Sequence, residues 1–190
     1  MSDPPVAEPR LRVPIPDAVG RGYPVYVRRG LLGGLGELVA GLAPAHRHVV
    51  VSDDRVAGLY GRDAVAALTA AGLSAELFTF PAGEARKTRD TWADLTDRML
   101  EAGAGRDTVV VALGGGVTGD LAGFVASTYM RGVPLIAVPT SLLAMLDSSI
   151  GGKTGVDTAA AKNVVGSFHH PRFVVVDPDL LGTLPVAHRA

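Results

Sequence analysis

One apolar run that breaks on three glycines constrains this chain more than any other stretch. Val109-Val110-Val111-Ala112-Leu113 reads as a buried strand, and Gly114-Gly115-Gly116-Val117-Thr118-Gly119-Asp120 turns it into a helix predicted over about 117–128. Gly114, Gly116 and Gly119 satisfy the G-x-G-x-x-G spacing. Glycines at such a turn let the backbone approach a pyrophosphate, and the helix N-terminus beyond offers free N–H groups and partial positive charge. The same residues would also suit a tight, capped turn with no ligand; their place between strand and helix favours a nucleotide. The usual fingerprint carries an acidic residue at the end of the next strand, where this chain has Pro139-Thr140. A ribose must then be held from elsewhere, and Asp53 and Glu84, each just beyond a predicted strand, are the candidates. Asp120 suits the helix dipole by about 0.3–1 kcal/mol. In a phosphate loop it would repel a pyrophosphate unless it faced a ribose hydroxyl or a cation.

Around this turn, strands alternate with helices. Residues 23–27 read as an edge strand, because Pro24 could not donate in a central one. Leu31, Leu35, Leu38 and Leu42 recur at helical spacing up to Pro44. Residues 49–51 form a short strand, and Asp53-Asp54 could cap a helix running to Gly72. Residues 75–80 are another strand, and Pro81-Ala82-Gly83-Glu84 a loop. Thr88 caps a helix whose Trp92, Leu95 and Met99 share a face, and Gly103 ends it. Strands follow at 135–138 and 173–176, with a short helix at 142–146. The pattern predicts one α/β domain of Rossmann-like type over 21–190: a mostly parallel sheet with helices on both faces. Residues 1–20, Pro-rich and acidic at their start, read as disordered or loosely attached.

Composition narrows the chemistry. A chain of 190 residues buries about 70% of the surface its unfolded form exposes, and its mean hydropathy of +0.27 suits a globular core. A net charge of −1 implies no basic face, so nucleic acid is not an expected partner. The absence of cysteine excludes disulfides and thiolate chemistry and agrees with a reducing cytosol. The start lacks the basic and apolar regions of a signal peptide. The most apolar stretch, 133–146, is interrupted by Pro134, Pro139, Thr140 and Ser141 and falls short of the roughly 20 residues a membrane span needs.

A second cluster follows the turn. Asp147, Lys153, Lys162 and Asn163 fall in a stretch rich in small residues, with Gly151-Gly152 allowing close backbone approach before Lys153. Lysine is a compact cation for phosphate or carboxylate, while Asp147 and Asn163 suit hydroxyls. Each alone would read as a solvated surface group; together, after the glycine turn, they read as a site for an anionic polyol. Arg131 is either a solvated turn residue or a phosphate ligand. His46, His48, His169, His170 and His188 show no metal-ligand spacing with a nearby carboxylate, and no Ser/His/Asp arrangement stands out.

Taken in order, Gly114–Asp120, Tyr129-Met130-Arg131-Gly132, Val138-Pro139-Thr140-Ser141-Leu142-Leu143-Ala144, Asp147-Ser148-Ser149-Ile150-Gly151-Gly152-Lys153-Thr154-Gly155, Lys162-Asn163 and Gly166-Ser167-Phe168-His169 resemble the 3-dehydroquinate synthase family of sugar-phosphate cyclases. The resemblance is dense over 81–185 and looser over 23–80. It implies an N-terminal NAD-binding portion of a cytoplasmic, often dimeric lyase of the shikimate pathway. That enzyme converts 3-deoxy-D-arabino-heptulosonate 7-phosphate to 3-dehydroquinate and phosphate, with NAD lending and recovering a hydride. By the resemblance, Asp53, Glu84, Lys87, Gly115, Gly116, Val117, Thr118, Gly119, Asp120, Thr140, Ser141, Lys153, Lys162, Leu180, Thr183 and Leu184 match the NAD-binding set. Asp147, Lys153 and Asn163 match the substrate set, and Arg131 an arginine for the substrate phosphate, donated by the neighbouring subunit.

The chain departs from the family pattern at Ser141, where a second threonine is common, at Asp157, usually asparagine, and at Ala161, usually glycine. The family's zinc or cobalt is held by a glutamate and two histidines that would lie beyond Ala190. The expectation is therefore an NAD-binding half without the metal-binding helical domain, inactive alone. Rival readings are a sedoheptulose 7-phosphate cyclase, a metal-dependent alcohol or glycerol dehydrogenase, and a nucleotide-binding module without catalysis.

Overall fold

The computed structural model describes residues 8–15 and 22–185. His188 and most of the stretch 1–20 lie outside the described residues. A seven-stranded sheet forms the centre, in the order β1-β2-β9-β6-β5-β3-β4. Its strands are β1 (Leu11–Pro14), β2 (Gly22–Val27), β3 (Arg47–Asp53), β4 (Ala75–Phe80), β5 (Thr108–Gly114), β6 (Leu135–Pro139) and β9 (Phe173–Val176). Only the β1–β2 pair is antiparallel. A separate two-stranded hairpin, β7 (Lys153–Val156) and β8 (Val165–Phe168), stands outside the sheet.

Parallel strands buried on both faces read as continuous apolar runs, and the period-2 alternation of their side chains divides the core in two. Val50, Val109, Val111 and Leu113 face one side with α1 (Leu35–Leu42) and α3 (Arg62–Ala70). Val49, Val51, Val110 and Ala112 face the other with α4 (Arg89–Glu101) and α5 (Gly116–Thr128). Helices thus cover both faces, as the alternating pattern predicts.

Local signals set the helix ends. Asp53 caps the three-residue α2 (Asp54–Val56), its Oδ1 accepting from the Val56 N–H at 3.0 Å. The helix predicted to run on to Gly72 does so with one wide turn, Ala57–Gly61, and Gly72 closes it at φ +80°. Thr88 caps α4 by accepting from the Thr91 N–H at 3.2 Å.

Two expectations are corrected. The strand at 23–27 is not an edge: β1 pairs outside it, with Arg12 opposite Pro24. Val25 O accepts from Arg10 N, toward β1. Alternation therefore turns the missing donor of Pro24 to the other side, one residue ahead of the ladder to β9, which begins at Val25. And Leu11–Pro14 form a strand within the stretch read as loose. The hairpin β7–β8 was not expected at all.

The chain leaves β3 for β4 in one direction and β5 for β6 in the other, so order reverses between the adjacent strands β3 and β5. In open α/β sheets, ligands bind outside the carboxyl ends of strands at such a switch point. Asp53 ends β3 and the glycine turn follows β5.

Candidate functional site

The three glycines of the turn serve different ends. A Cβ on Gly114 would stand 2.4 Å from Thr118 Oγ1, so Gly114 is required by packing within the chain. A Cβ on Gly119 would meet nothing within 4 Å. The first turn of α5 is therefore open at Gly119, where a phosphate group would approach. Ser141 and Ser148 border the turn at Gly115 and Gly116, 3.4 and 3.2 Å from where Cβ atoms would be. Thr140, buried at the end of β6, donates its N–H to Gly114 O at 3.0 Å. Across the switch point, Thr118 Oγ1 donates to Asp53 Oδ2 at 3.3 Å and Ser52 Oγ to Leu113 O at 2.7 Å. These contacts tie the ends of β3, β5 and β6 together.

Beside the turn lies a cleft of about 450 Å³ whose lining includes Asp120, Asp147, Ser148, Lys153, Thr154 and Asn163. The sequence places these residues over forty positions; the fold brings them to one wall because β7 packs against α5. A Cβ on Gly123 would fall 2.4 Å from Thr154 Cγ2, so glycine there is what allows that approach. Gly151 and Gly152, at φ +92° and +71°, make the turn ahead of Lys153. Its position is held from afar: the Gly151 N–H donates to Tyr23 Oη at 2.9 Å. The ammonium of Lys153 and the carboxylate of Asp147 make no hydrogen bond or ion pair among the described residues, so both are free to meet a ligand.

Lys87 is the reverse. It is 3% exposed, and its Nζ contacts Asp120 Oδ2 at 3.1 Å, Glu84 Oε1 at 3.2 Å, Asn163 Oδ1 at 2.7 Å and Asp157 Oδ1 at 3.8 Å. Burial alone would lower its pKa, but the hydrogen bonds and charges of Asp120 and Glu84 outweigh it and hold Lys87 above 10.5. Asp120 behaves differently. Burial raises its carboxyl above 3.8, Lys87 opposes this, and the neighbouring charges of Glu84 and Asp157 add to it. For this pair, charge is stabilised on the lysine and disfavoured on the aspartate.

Other sequence-derived positions fall as follows. Glu84 is half-exposed and lies 3.6 Å from Lys162, which is largely exposed. Val117 and Gly119 are half-buried on α5. Leu180 is buried after β9, and its carbonyl and Thr183 Oγ1 both meet Tyr60 Oη, at 2.9 and 2.6 Å. Leu184 donates its N–H to Leu181 O at 3.1 Å. The structure brings Asp120, Asp147, Lys153 and Asn163 together, with Glu84, Lys87 and Lys162 adjoining. It does not bring Arg131 to them. Arg131 sits past the far end of α5 at φ +68°, outside the cleft lining. Sequence reading missed Asp157 and Tyr23 as site supports. Each acts through a backbone or side-chain contact with a segment distant in the chain, and nothing local marks it.

The family model described as 3-dehydroquinate synthase N-terminal matches residues 77–190. A 3-dehydroquinate synthase of Symbiobacterium thermophilum is 53% identical over 164 residues, 86% of this chain and 46% of that protein. The chain spans about half the length of the curated relatives it matches. Among solved structures, a 2-deoxy-scyllo-inosose synthase complexed with carbaglucose-6-phosphate, NAD+ and Co2+ superposes with a TM-score of 0.85 at 30% identity, over 94% of this chain and 48% of that one. A 2-epi-5-epi-valiolone synthase from Streptomyces hygroscopicus, with NAD+ and Zn2+ bound, superposes at 0.80 and 35% identity, with the same coverage.

Proposed function

Since this chain belongs to the 3-dehydroquinate synthase family, we propose that it forms the NAD-binding portion of an enzyme converting 3-deoxy-D-arabino-heptulosonate 7-phosphate to 3-dehydroquinate and phosphate. The observation that carries this reading is the meeting of Asp120, Asp147, Lys153 and Asn163 in one cleft beside an open glycine turn.

NAD fits the residues present. The open face at Gly119 and the N–H groups at the start of α5 suit its pyrophosphate. Asp53, Thr140, Ser141 and the Glu84 loop adjoin on the same edge of the sheet. The chemistry that a bound NAD supplies is reversible hydride acceptance, which leaves no net NADH. Lys153 then holds an anionic group of the substrate, and Asp147 accepts from its hydroxyls. Asn163 fixes its orientation, and the hairpin and α5 wall the site from water on one side.

The divalent metal of the family reading is assigned to ligands outside the described residues. Among the described residues, no group of three His, Cys, Asp or Glu could hold a metal ion, and none of the roles above passes through one. The reading also includes a cytoplasmic homodimer in which Arg131 serves the neighbouring subunit's substrate phosphate. Among the described residues, no helix is long and apolar enough to cross a membrane.

The test is phosphate release by the longest natural form of the protein, with NAD and zinc or cobalt. Release from the heptulosonate 7-phosphate without NADH build-up is expected. Release from sedoheptulose 7-phosphate alone would move the protein to the other cyclases. NADH accumulation with glycerol or an alcohol would make it a dehydrogenase, and no release with intact NAD binding a nucleotide-binding module.

A further inference from the structure

Lys87 is buried among its partners rather than turned to the cleft: its Nζ donates to Asp120 and Asn163 and pairs with Glu84. An ammonium can only donate. The atom of Asn163 that faces it at 2.7 Å must therefore be the amide oxygen, which fixes the direction of the amide. The Asn163 NH2 group then lies on the other side. It makes no hydrogen bond among the described residues, and Asn163 lines the cleft.

The backbone around Asn163 is fixed as well. Asn163 stands at φ +55°, a conformation that asparagine tolerates better than most residues. Its N–H donates to Asp157 Oδ1 at 2.8 Å. Asp157 is itself anchored to the Lys87 segment, its N–H donating to Lys87 O at 2.7 Å beside a Thr88–Asp157 bridge. Between them, Thr158 and Ala161 close the loop on each other, Thr158 N–H to Ala161 O at 3.0 Å and Ala161 N–H to Thr158 Oγ1 at 3.1 Å. The loop over 157–163 is thus a preformed unit attached to Lys87 at both ends.

We propose that Lys87 is a positioning residue that pins the Asn163 amide oxygen, so that Asn163 meets its ligand only as a hydrogen-bond donor, with Asp157 holding the loop in register. Asn163 then pairs with an acceptor on the ligand, a carboxylate, phosphate or carbonyl oxygen. Lys153 supplies the charge, while Asp147 takes the hydroxyls. The identity of that ligand rests on the function proposed above; the direction of the amide does not.

Two measurements on the longest natural form test this. The first needs no activity: the side-chain NH2 resonances of Asn163, identified by their loss in Asn163→Ala. The wild type is expected to show a dispersed pair, because the pinned oxygen holds the amide in one orientation. The pair should collapse toward solvent-exposed values in Lys87→Met and be retained in Lys87→Arg, which can still donate to the amide oxygen. Resonances unmoved by Lys87→Met would overturn the proposal. The second is kinetic. Loss of a charge-assisted hydrogen bond should raise KM for the heptulosonate 7-phosphate roughly ten- to hundredfold in Lys87→Met. The Kd for NAD should move far less, and Lys87→Met/Asn163→Ala should be no worse than Asn163→Ala alone. A fall in NAD affinity with unchanged substrate KM, or additive effects in the double variant, would make Lys87 a direct cofactor ligand instead. If the wild type does not turn over this substrate, the functional reading fails while the amide resonances still decide the proposal.

Discussion

At the scale of single residues, the site divides into groups that are spent and groups that are free. Lys87 is spent; Asp147 and Lys153 are free. That division has consequences for pH. The carboxyl of Asp120 titrates above 3.8 in the folded protein, burial being the main cause. The folded state therefore binds that proton more readily than the unfolded chain. The stability this contributes is complete below pH 3.8 and is lost as pH rises through the folded value. Asp120→Asn removes the loss, so its urea midpoint should climb more steeply than that of wild type as pH rises above 3.8. A variant whose stability instead falls relative to wild type over that range would show that the Lys87 contact outweighs burial. Lys87 has the opposite profile: raised above 10.5, it contributes stability up to that pH and loses it only as pH climbs through its folded value. Tyr23 gives a second residue-scale prediction. Tyr23→Phe keeps the buried ring but strips the acceptor from the Gly151 N–H. It should cost about 1 kcal/mol in denaturant unfolding and weaken substrate binding through Lys153, with NAD affinity unchanged. A variant with full stability and unaltered KM would show that the Tyr23 hydroxyl does not set the Gly151-Gly152 turn.

Among the elements, α5 decides most, since the proposed NAD site lies at its start and its flank carries the hairpin. Its glycines predict opposite outcomes. Gly119→Ala meets nothing and replaces a helical glycine, so stability should hold or rise by up to about 1 kcal/mol, while NAD binding falls at least tenfold in titration. Unchanged NAD affinity would move the pyrophosphate away from this turn. Gly123→Ala drives a methyl into Thr154; it should destabilise the protein by about 1–3 kcal/mol, with partial recovery in Gly123→Ala/Thr154→Ser. What was legible from sequence follows the same line. The glycine turn, the Asp53 and Thr88 caps and the apolar strands were readable because their causes are local: spacing, a capping side chain, period-2 burial. The hairpin was not. Gly155 and Gly166 face each other across it, each where a Cβ would strike the partner backbone at 2.6 and 2.1 Å, and glycine weakens any strand signal. β1 was missed for a related reason, since its four residues become a strand only by pairing with β2, eight to fourteen positions away. The cleft was half-legible. Asp147, Lys153 and Asn163 could be named as a set, but that they share a wall with Asp120 depends on the close contact at Gly123.

The whole molecule places its chemistry on one edge. The ends of β3, β5 and β6, the 177–184 segment after β9 and the hairpin cleft all lie at the carboxyl side of the parallel strands, whereas Arg131 follows the last turn of α5. That helix has 13 residues, so Arg131 is roughly 20 Å from the glycine turn. Met130 and Arg131 hold φ values of +51° and +68° ahead of Gly132 at +115°, a costly backbone for side chains of this kind that presents the guanidinium outward. Arg131 lies outside the cleft lining that holds Lys153 and Asn163; in the proposed dimer it serves the ligand of the neighbouring subunit. The proposed dimer then makes a prediction that no single-subunit reading shares. Arg131→Ala and Asn163→Ala should each lower turnover about a hundredfold in the longest natural form. Mixed in equal amounts and allowed to exchange subunits, half of the dimers carry one of each. Every such dimer has one site with an intact Asn163 and the partner's intact Arg131, so roughly a quarter of wild-type activity should return. If Arg131 served its own subunit, neither site of the mixed dimer would be whole and the mixture would stay as inactive as its parents.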